Sequence, residues 1–148
     1  MEDERLGRAL ALTAKVMRER FDQQLAAVGS SLVSWLILRI TAGHPGVSQR
    51  QIAAFLGIEA PTLTRHLDRL CGDGLVQRAP HPTDRRAMTV ELTAAGKEHL
   101  QRVTAYADRL DAELKDLLSE RELRTTLRVL NRLHDHYTKD ADAHHPGQ

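Results

Sequence analysis

Two groups of side chains in this sequence have the chemistry to read a polyanion. The first lies in APTLTRHLDRL, residues 60–70, where hydroxyls and guanidinium groups alternate with leucines at helical spacing. If Leu63, Leu67 and Leu70 form the buried stripe, a step of about 100° per residue puts Pro61, Thr62, Arg65, Asp68 and Arg69 on the opposite face, with Thr64 on its flank. Arginine can bond guanine O6 and N7 in a major groove, and threonine can hydrogen-bond a base edge or touch a thymine methyl. The second group lies in HPTDRRAMTVELT, residues 81–93, which joins a proline, an acid and two arginines to an alternating apolar and polar run. There Asp84 can accept from backbone N–H groups of a turn and from Arg86, stiffening a loop from which Arg85 projects. A guanidinium on a thin ribbon suits a narrow A·T-rich minor groove, which concentrates negative potential. Each group has a plainer alternative, a solvated helix face and an exposed turn with incidental charges.

The flanking sequence predicts the elements that would position them. Leu6, Leu10, Met17, Phe21 and Leu25 recur at helical spacing, giving a first helix that runs to Gly29. Ser30 and Ser31 can cap a second, ending near Gly43; its apolar residues Leu32, Val33, Trp35, Leu36, Ile37, Leu38 and Ile40 surround most of its circumference, so it should be central. Ser48 and Gln51 form a capping box, with Val47 and Ile52 placed for a hydrophobic staple, and Gly57 can end this short third helix. Pro61 fits the first turn of a fourth helix, whose cap, Glu59 or Ala60, is poor and which Gly72 and Gly74 stop. Beyond Gly74 the period becomes two: LVQRA and AMTVEL read as strands joined by HPTDRR, with Met88, Val90 and Leu92 facing in and Thr89 and Glu91 facing out. Thr93 can cap a long fifth helix with a seam of Leu100, Val103, Ala107, Leu110, Leu114 and Leu117. Ser119 and Glu122 form a second capping box, stapled by Leu118 and Leu123, for a sixth helix with an apolar face of Leu123, Leu127, Leu130 and Tyr137. The tail after Lys139 has nothing to bury and is expected to be disordered.

The fold class is therefore mostly α with a small β-hairpin, in the order of a winged helix-turn-helix. The span LDRLCGDGLVQRAPHPTDRRAMTVELTAAGKEHL closely resembles the signature of the MarR family of bacterial transcription regulators, in which DRL, GLV.R, DRR and V.LT..G recur at this spacing. The helical order on either side also fits, so the resemblance covers essentially the whole chain; Cys71 departs from it, standing where the family often has an acid. The resemblance implies a homodimeric, ligand-responsive repressor or activator that binds double-stranded DNA at a palindromic operator. It implies one domain over residues 1–139, with a winged helix-turn-helix lobe at 30–93 and dimerisation helices at 1–29 and 94–139, then a tail at 140–148. Beside the bases read by Thr62, Thr64, Arg65 and Arg85, phosphates would be held by Arg78 and by Ser48, Gln49 and Arg50 at the third helix's N-terminus. It also suggests a small-molecule pocket, for which Trp35, Arg39 and Tyr106 are candidates because they could offer a ring face and a cation to an aromatic anion. The plainer reading there is a core tryptophan with a snorkelling arginine.

Composition restricts the other function classes. The 148 residues suffice for one core, and a net charge of +1 means that nucleic-acid binding must rest on where individual arginines point. The single cysteine, Cys71, excludes an intrachain disulfide and a Cys-rich zinc module; at the C-terminal end of a helix it is expected to be a structural thiol. No apolar run reaches membrane-spanning length, SSLVSWLILRITAG being broken by Arg39, and MEDERLGRA lacks a signal peptide's apolar centre, so a cytoplasmic protein with no membrane partner is expected. Of the eight histidines, His134, His136, His144 and His145 are the densest group, yet none has a ligand spacing, and no metal or cofactor is expected. Without a G-x-S-x-G or Walker-type loop, an enzyme is not expected. The competing class is a winged helix used for protein–protein contact, which would call for large apolar anchors where Thr62, Thr64 and Arg65 stand.

Overall fold

The helix starts and stops marked by caps and glycines organise the computed structural model, which describes residues 5–143 and side chains as far as Tyr137. In chain order the elements are α1 (Leu6–Ala26), α2 (Leu32–Gly43), α3 (Gln49–Leu56), α4 (Ala60–Gly72), β1 (Val76–Pro80), β2 (Met88–Leu92), α5 (Ala94–Asp116) and α6 (Glu120–Ala143). They divide into two compact units, Met1–Asp108 and Arg109–Gln148, with the boundary inside α5.

In the first unit, α1 ends three residues before Gly29 because its last N–H groups, those of Ala27, Val28 and Gly29, tighten onto carbonyls three residues back. Ser31 caps α2, its hydroxyl accepting from the Ser34 N–H at 3.2 Å. The α3 capping box is complete: Ser48 N–H donates to Gln51 Oε1 at 2.9 Å, and Gln51 N–H to Ser48 Oγ at 3.2 Å. Glu59 makes no side-chain cap for α4, and a proline in the first turn takes that place. The core gathers Ile37 and Leu38 of α2, Val47, Ile52 and Ala53 around α3, Leu63, Leu67 and Leu70 of α4, and Val76 and Val90 of the strands. The expected central position of α2 and the leucine stripe of α4 are both present.

β1 and β2 pair antiparallel, with Val76 opposite Leu92 and Pro80 opposite Met88. One expected assignment of faces is reversed at the end of this ladder. Thr89 is buried at 3% exposure, while Met88 is 39% exposed. The free edge of β2 is occupied at this point by the residues entering α3, Ser48 bridging to Thr89 and Val90 N–H donating to Val47 O at 2.9 Å. The Thr89 hydroxyl, shut off from water, donates to Ala79 O at 3.1 Å, which satisfies its polarity. Met88 stands at the last pair of the ladder, next to the loop.

The hairpin joins α5 through a tight corner. Thr93 donates its backbone N–H to Leu75 O at 3.1 Å and its hydroxyl to Gly74 O at 2.6 Å, and the same hydroxyl accepts from Gly96 N–H at 2.9 Å, capping the helix as expected. Farther along α5, Val103 and Ala107 are buried, and His99, 8% exposed, is held below its ordinary pKa first by burial and then by the Arg102 charge, against an opposing pull from Asp73.

In the second unit, Ser119 N–H donates to Glu122 Oε2 at 2.8 Å and Glu122 N–H to Ser119 Oγ at 3.4 Å, completing the second capping box. Hydrogen bonds from the Ser119 hydroxyl and backbone lower the Glu122 pKa. Leu117 does not extend the α5 seam; it follows the helix end at Asp116 and is 78% exposed. α6 continues past Lys139 to Ala143, since adding a residue to a formed helix needs no new nucleus. The rest of the expected disordered tail, with His144 and His145, lies outside the described residues.

The corner at Gly96 leaves no room for a side chain. A Cβ there would sit 1.9 Å from the Leu75 carbonyl oxygen, a backbone atom that also accepts from Thr93. Gly96→Ala is expected to lower stability by about 1–3 kcal/mol as an overpacking substitution, despite alanine's better helix propensity. Urea denaturation of the variant against wild type measures it.

Candidate nucleic-acid interface

The first unit presents α4, the start of α3 and the hairpin loop with their polar groups outward. With Leu63, Leu67 and Leu70 no more than 3% exposed, α4 turns Pro61, Thr64, Arg65, Asp68 and Arg69 to solvent and leaves Thr62 half-buried. Among the described residues no acid pairs with Arg65. Arg69 lies 4.0 Å from Asp73 and keeps a side chain that is 75% exposed, a contact worth little in water. The Thr64 hydroxyl donates to Ala60 O at 2.9 Å, so toward a ligand it acts chiefly as an acceptor.

Arg78 takes a place different from that of an open phosphate ligand. Its Nε donates to Gln49 Oε1 at 2.7 Å, its Nη1 to Asp68 Oδ1 at 2.7 Å and its Nη2 to Thr64 O at 3.4 Å. A guanidinium carries five N–H donors in a rigid fork, and here the fork ties β1 to the first residue of α3 and the middle of α4. The Arg78 side chain is 25% exposed and its bond to Gln49 is partly buried, whereas Asp68 is 58% exposed, so the charged contact is only partly shielded from water. Gln49 and Asp68, read from the sequence as a phosphate contact and a solvent-facing acid, are its partners. Ser48, also expected at a phosphate, has its hydroxyl engaged in the α3 cap and is 9% exposed. Arg50 is exposed at the same helix N-terminus.

The hairpin loop is closed by backbone bonds, His81 N–H to Ala87 O and Ala87 N–H to Asp84 O, each 3.0 Å. Asp84 Oδ1 accepts from the backbone N–H of Arg86 at 2.9 Å, as expected for the turn, and the anticipated bond from the Arg86 guanidinium is replaced by this backbone contact. Arg85 and Arg86 are both exposed. Sequence reasoning passed over His81, whose ring nitrogen Nδ1 accepts from the backbone N–H groups of Thr83 at 3.3 Å and Asp84 at 3.2 Å. Its signal was its place, directly before Pro82 where the strand turns into the loop.

The candidate ligand residues are only partly brought together. Arg39 lies 5.2 Å from the Trp35 ring centroid, and Trp35 Nε1 donates to Thr104 Oγ1 at 3.2 Å. Tyr106, half-buried, is two positions beyond Thr104, roughly 200° around α5 from the residue that touches Trp35. Cys71 is half-buried against the core, as expected of a structural thiol, and among the described residues no group of His, Cys, Asp or Glu is arranged to hold a metal ion.

Comparison with known proteins decides the family. Residues 28–87 match the model of the MarR family. The transcriptional repressor CouR, in a structure bound to a 23-mer DNA duplex, is 32% identical, with a TM-score of 0.82 over 88% of this chain and 93% of that one. The chain belongs to the MarR family. A probable transcriptional regulator from Pseudomonas aeruginosa is 26% identical, with a TM-score of 0.81 over 90% of this chain and 99% of its own. A cysteine-to-serine mutant of MarR from E. coli, complexed with operator DNA, has the same fold: TM-score 0.81 at 24% identity, over 89% of this chain and 95% of that one. In this MarR-family regulator α3 and α4 form the helix-turn-helix and β1–β2 the wing, with Arg78 as the joint between them.

That joint has a measurable coupling. In a double-mutant cycle of Arg78→Ala and Asp68→Ala followed by urea denaturation, the two side chains are expected to couple by about 0.5–3 kcal/mol. Additive losses would show that the 2.7 Å contact contributes nothing net to the fold.

Proposed function

We propose that this protein is a sequence-specific, duplex-DNA-binding transcriptional repressor that works as a homodimer on a palindromic operator and responds to a small molecule. One observation carries the proposal: the exposed Thr64–Arg65 face of α4 and the Arg85-tipped wing are linked through Arg78, which bonds both Asp68 and Thr64 O. In this reading α4 enters the major groove, with Arg65 on guanine and Thr62 and Thr64 beside it, and Arg85 enters the adjacent minor groove. Arg50, Arg69 and Arg86 hold phosphates, while Gln49 and Arg78 act as the brace and Asp84 as the turn-former. CouR and the E. coli MarR mutant were each captured with DNA, the latter with operator DNA, which supports this choice over a winged helix for protein contact. So does the absence of large apolar side chains among Thr62, Thr64 and Arg65.

The homodimer is supported by apolar side chains left in water. α1 exposes Leu6 and Val16, each at 64%, and Leu12 at 53%; in the second unit α6 exposes Leu127 at 50% and Tyr137 at 70%. Pairing two chains about a two-fold axis would cover such residues twice over and match a palindrome whose half-sites lie about 34–36 Å apart. Residues 1–139 then serve one domain, 30–93 reading DNA and the flanking helices joining the subunits. For the effector, an aromatic anion would exchange the Arg39–Trp35 contact for a charge-assisted one at Arg39, Trp35 still offering its ring, with Tyr106 of α5 as a further candidate contact. The DNA target puts the protein in the cytoplasm; no helix among the described residues is long and apolar enough to cross a membrane.

Selection of bound sequences from a random duplex library tests the core of the reading and is expected to return an inverted repeat. On the selected site, Arg65→Ala should cost about 1–3 kcal/mol and relax preference at one base pair per half-site, whereas Arg85→Ala should weaken binding and reduce the salt slope by about 1 per subunit. Unchanged affinity in both variants at fixed salt would refute this docking. Sedimentation equilibrium at micromolar concentration is expected to give a dimer, and a stable monomer would overturn the two-fold arrangement.

A further inference from the structure

The wing contains a residue that the functional reading leaves unused. His81 closes the loop through its backbone N–H to Ala87 O and through its ring, where Nδ1 lies 3.2 Å from Asp84 N, 3.3 Å from Thr83 N and 3.4 Å from the Thr83 hydroxyl. A backbone amide can only donate, so Nδ1 must be a bare acceptor and the imidazole neutral, with its proton on Nε2. The ring does here what the side chain of Asn or Asp does in an Asx turn, bonding amides two and three residues ahead. Asp84, whose amide is held in this way, in turn accepts from Arg86 N–H through its carboxylate and from Ala87 N–H through its carbonyl. Arg85 is suspended between those two anchors.

We propose that His81 is a positioning residue of the wing: neutral, it fixes the backbone from which Arg85 projects, and when Nδ1 gains a proton the loop is released and binding to DNA weakens. Only the last step rests on the DNA-binding reading. Protonation turns an acceptor into a donor facing two donors, so both ring bonds are lost together and the imidazolium must swing out. Its own loop carries the charged groups Asp84, Arg85 and Arg86. On the strands flanking that loop, Arg78 is held by Asp68, and Glu91 accepts from Gln77. If the imidazolium pairs with Asp84 Oδ2 instead, the Arg86 N–H can stay on Oδ1, but the ring has still left the Thr83 and Asp84 amides, which loosens the tip. The added positive charge favours phosphates by at most about one contact, while the loss of order acts on the arginine placed to enter the groove.

The test uses the full chain and two substitutions. In His81→Asn, Oδ1 stands the same number of bonds from the backbone as Nδ1 and can accept both amides, but it does not titrate; His81→Ala removes the acceptor. Amide resonances of Thr83 and Asp84 are followed by proton–nitrogen correlation NMR from about pH 8 to about pH 5, across the range in which imidazole ordinarily titrates. Affinity for an A·T-rich duplex of about 25 base pairs is then measured over the same range at fixed ionic strength. In wild type the two amides are expected to shift together toward loop values in acid, and affinity to fall about tenfold, the worth of roughly two ordinary hydrogen bonds. His81→Asn should keep the high-pH affinity and lose the part of the pH dependence that does not come from the other seven histidines, while His81→Ala should bind weakly throughout. Amides that do not move with pH, or equal pH profiles in wild type and His81→Asn, would overturn the proposal. No DNA binding by any variant at any pH would refute the docking and the last step, while the amide shifts still decide whether His81 governs the loop.

Discussion

The guanidinium of Arg78 is the interaction on which the rest of this surface depends. A two-stranded hairpin of five-residue strands is marginal by itself in water, so the orientation of the wing must be fixed by what it touches. One edge of β2 is paired with β1, the other meets the residues that enter α3, and Val76 and Val90 pack with the α4 leucines in the core. On the outward side of β1 the polar tie to α4 is Arg78, through Asp68 and the Thr64 carbonyl. Lysine could not replace it, because an ammonium is a point charge and lacks the planar fork that meets acceptors on two helices. The bond to Asp68 also neutralises a cation that would otherwise compete for phosphates, leaving the positive charge of this face to Arg50, Arg65, Arg69, Arg85 and Arg86. In a chain with a net charge of only +1, that separation of bracing from exposed arginines matters more than the total.

The parts of the fold that were legible in the sequence are those set by short-range rules. Ser48 with Gln51 and Ser119 with Glu122 satisfy amides within one turn, and the leucines of α4 select their face by helical geometry alone. The change of period after Gly74 marked the hairpin for the same reason. What could not be read depends on a neighbour brought from elsewhere in the chain. Arg78 looks like any outward cation of an alternating strand until α3 and α4 stand beside it. Thr89 alternates correctly as a polar outward residue, and is buried because the segment entering α3 lies along β2. The role of His81 was hidden by its type, since imidazole is seldom considered among turn-forming acceptors. Trp35, Arg39 and Tyr106 were grouped by side-chain chemistry alone, and the bond from the indole to Thr104 of α5 could not be read from residue types.

Side-chain exposure connects the proposed dimer to the strength of DNA binding. A large aliphatic side chain gains about 1.5–3 kcal/mol on moving from water to a packed interior. Leu6, Leu12 and Val16 of α1, more than half exposed in the single chain, forgo most of that gain. A two-fold interface recovers it in pairs, so each residue covered counts twice in the assembly's free energy. Under the proposed homodimer, the second lobe then meets its half-site at an effective concentration fixed by the protein, which multiplies the affinities of two lobes that each present only a few unpaired arginines. Binding to the operator must therefore be sensitive to anything that loosens the dimer, even without a change in Arg65 or Arg85. The apolar stripes on α1 and α6 would in this way set the concentration at which the polar face of α4 becomes a selective reader of DNA, and the two kinds of surface act as one device although the first lies toward the two ends of the sequence and the second in its middle.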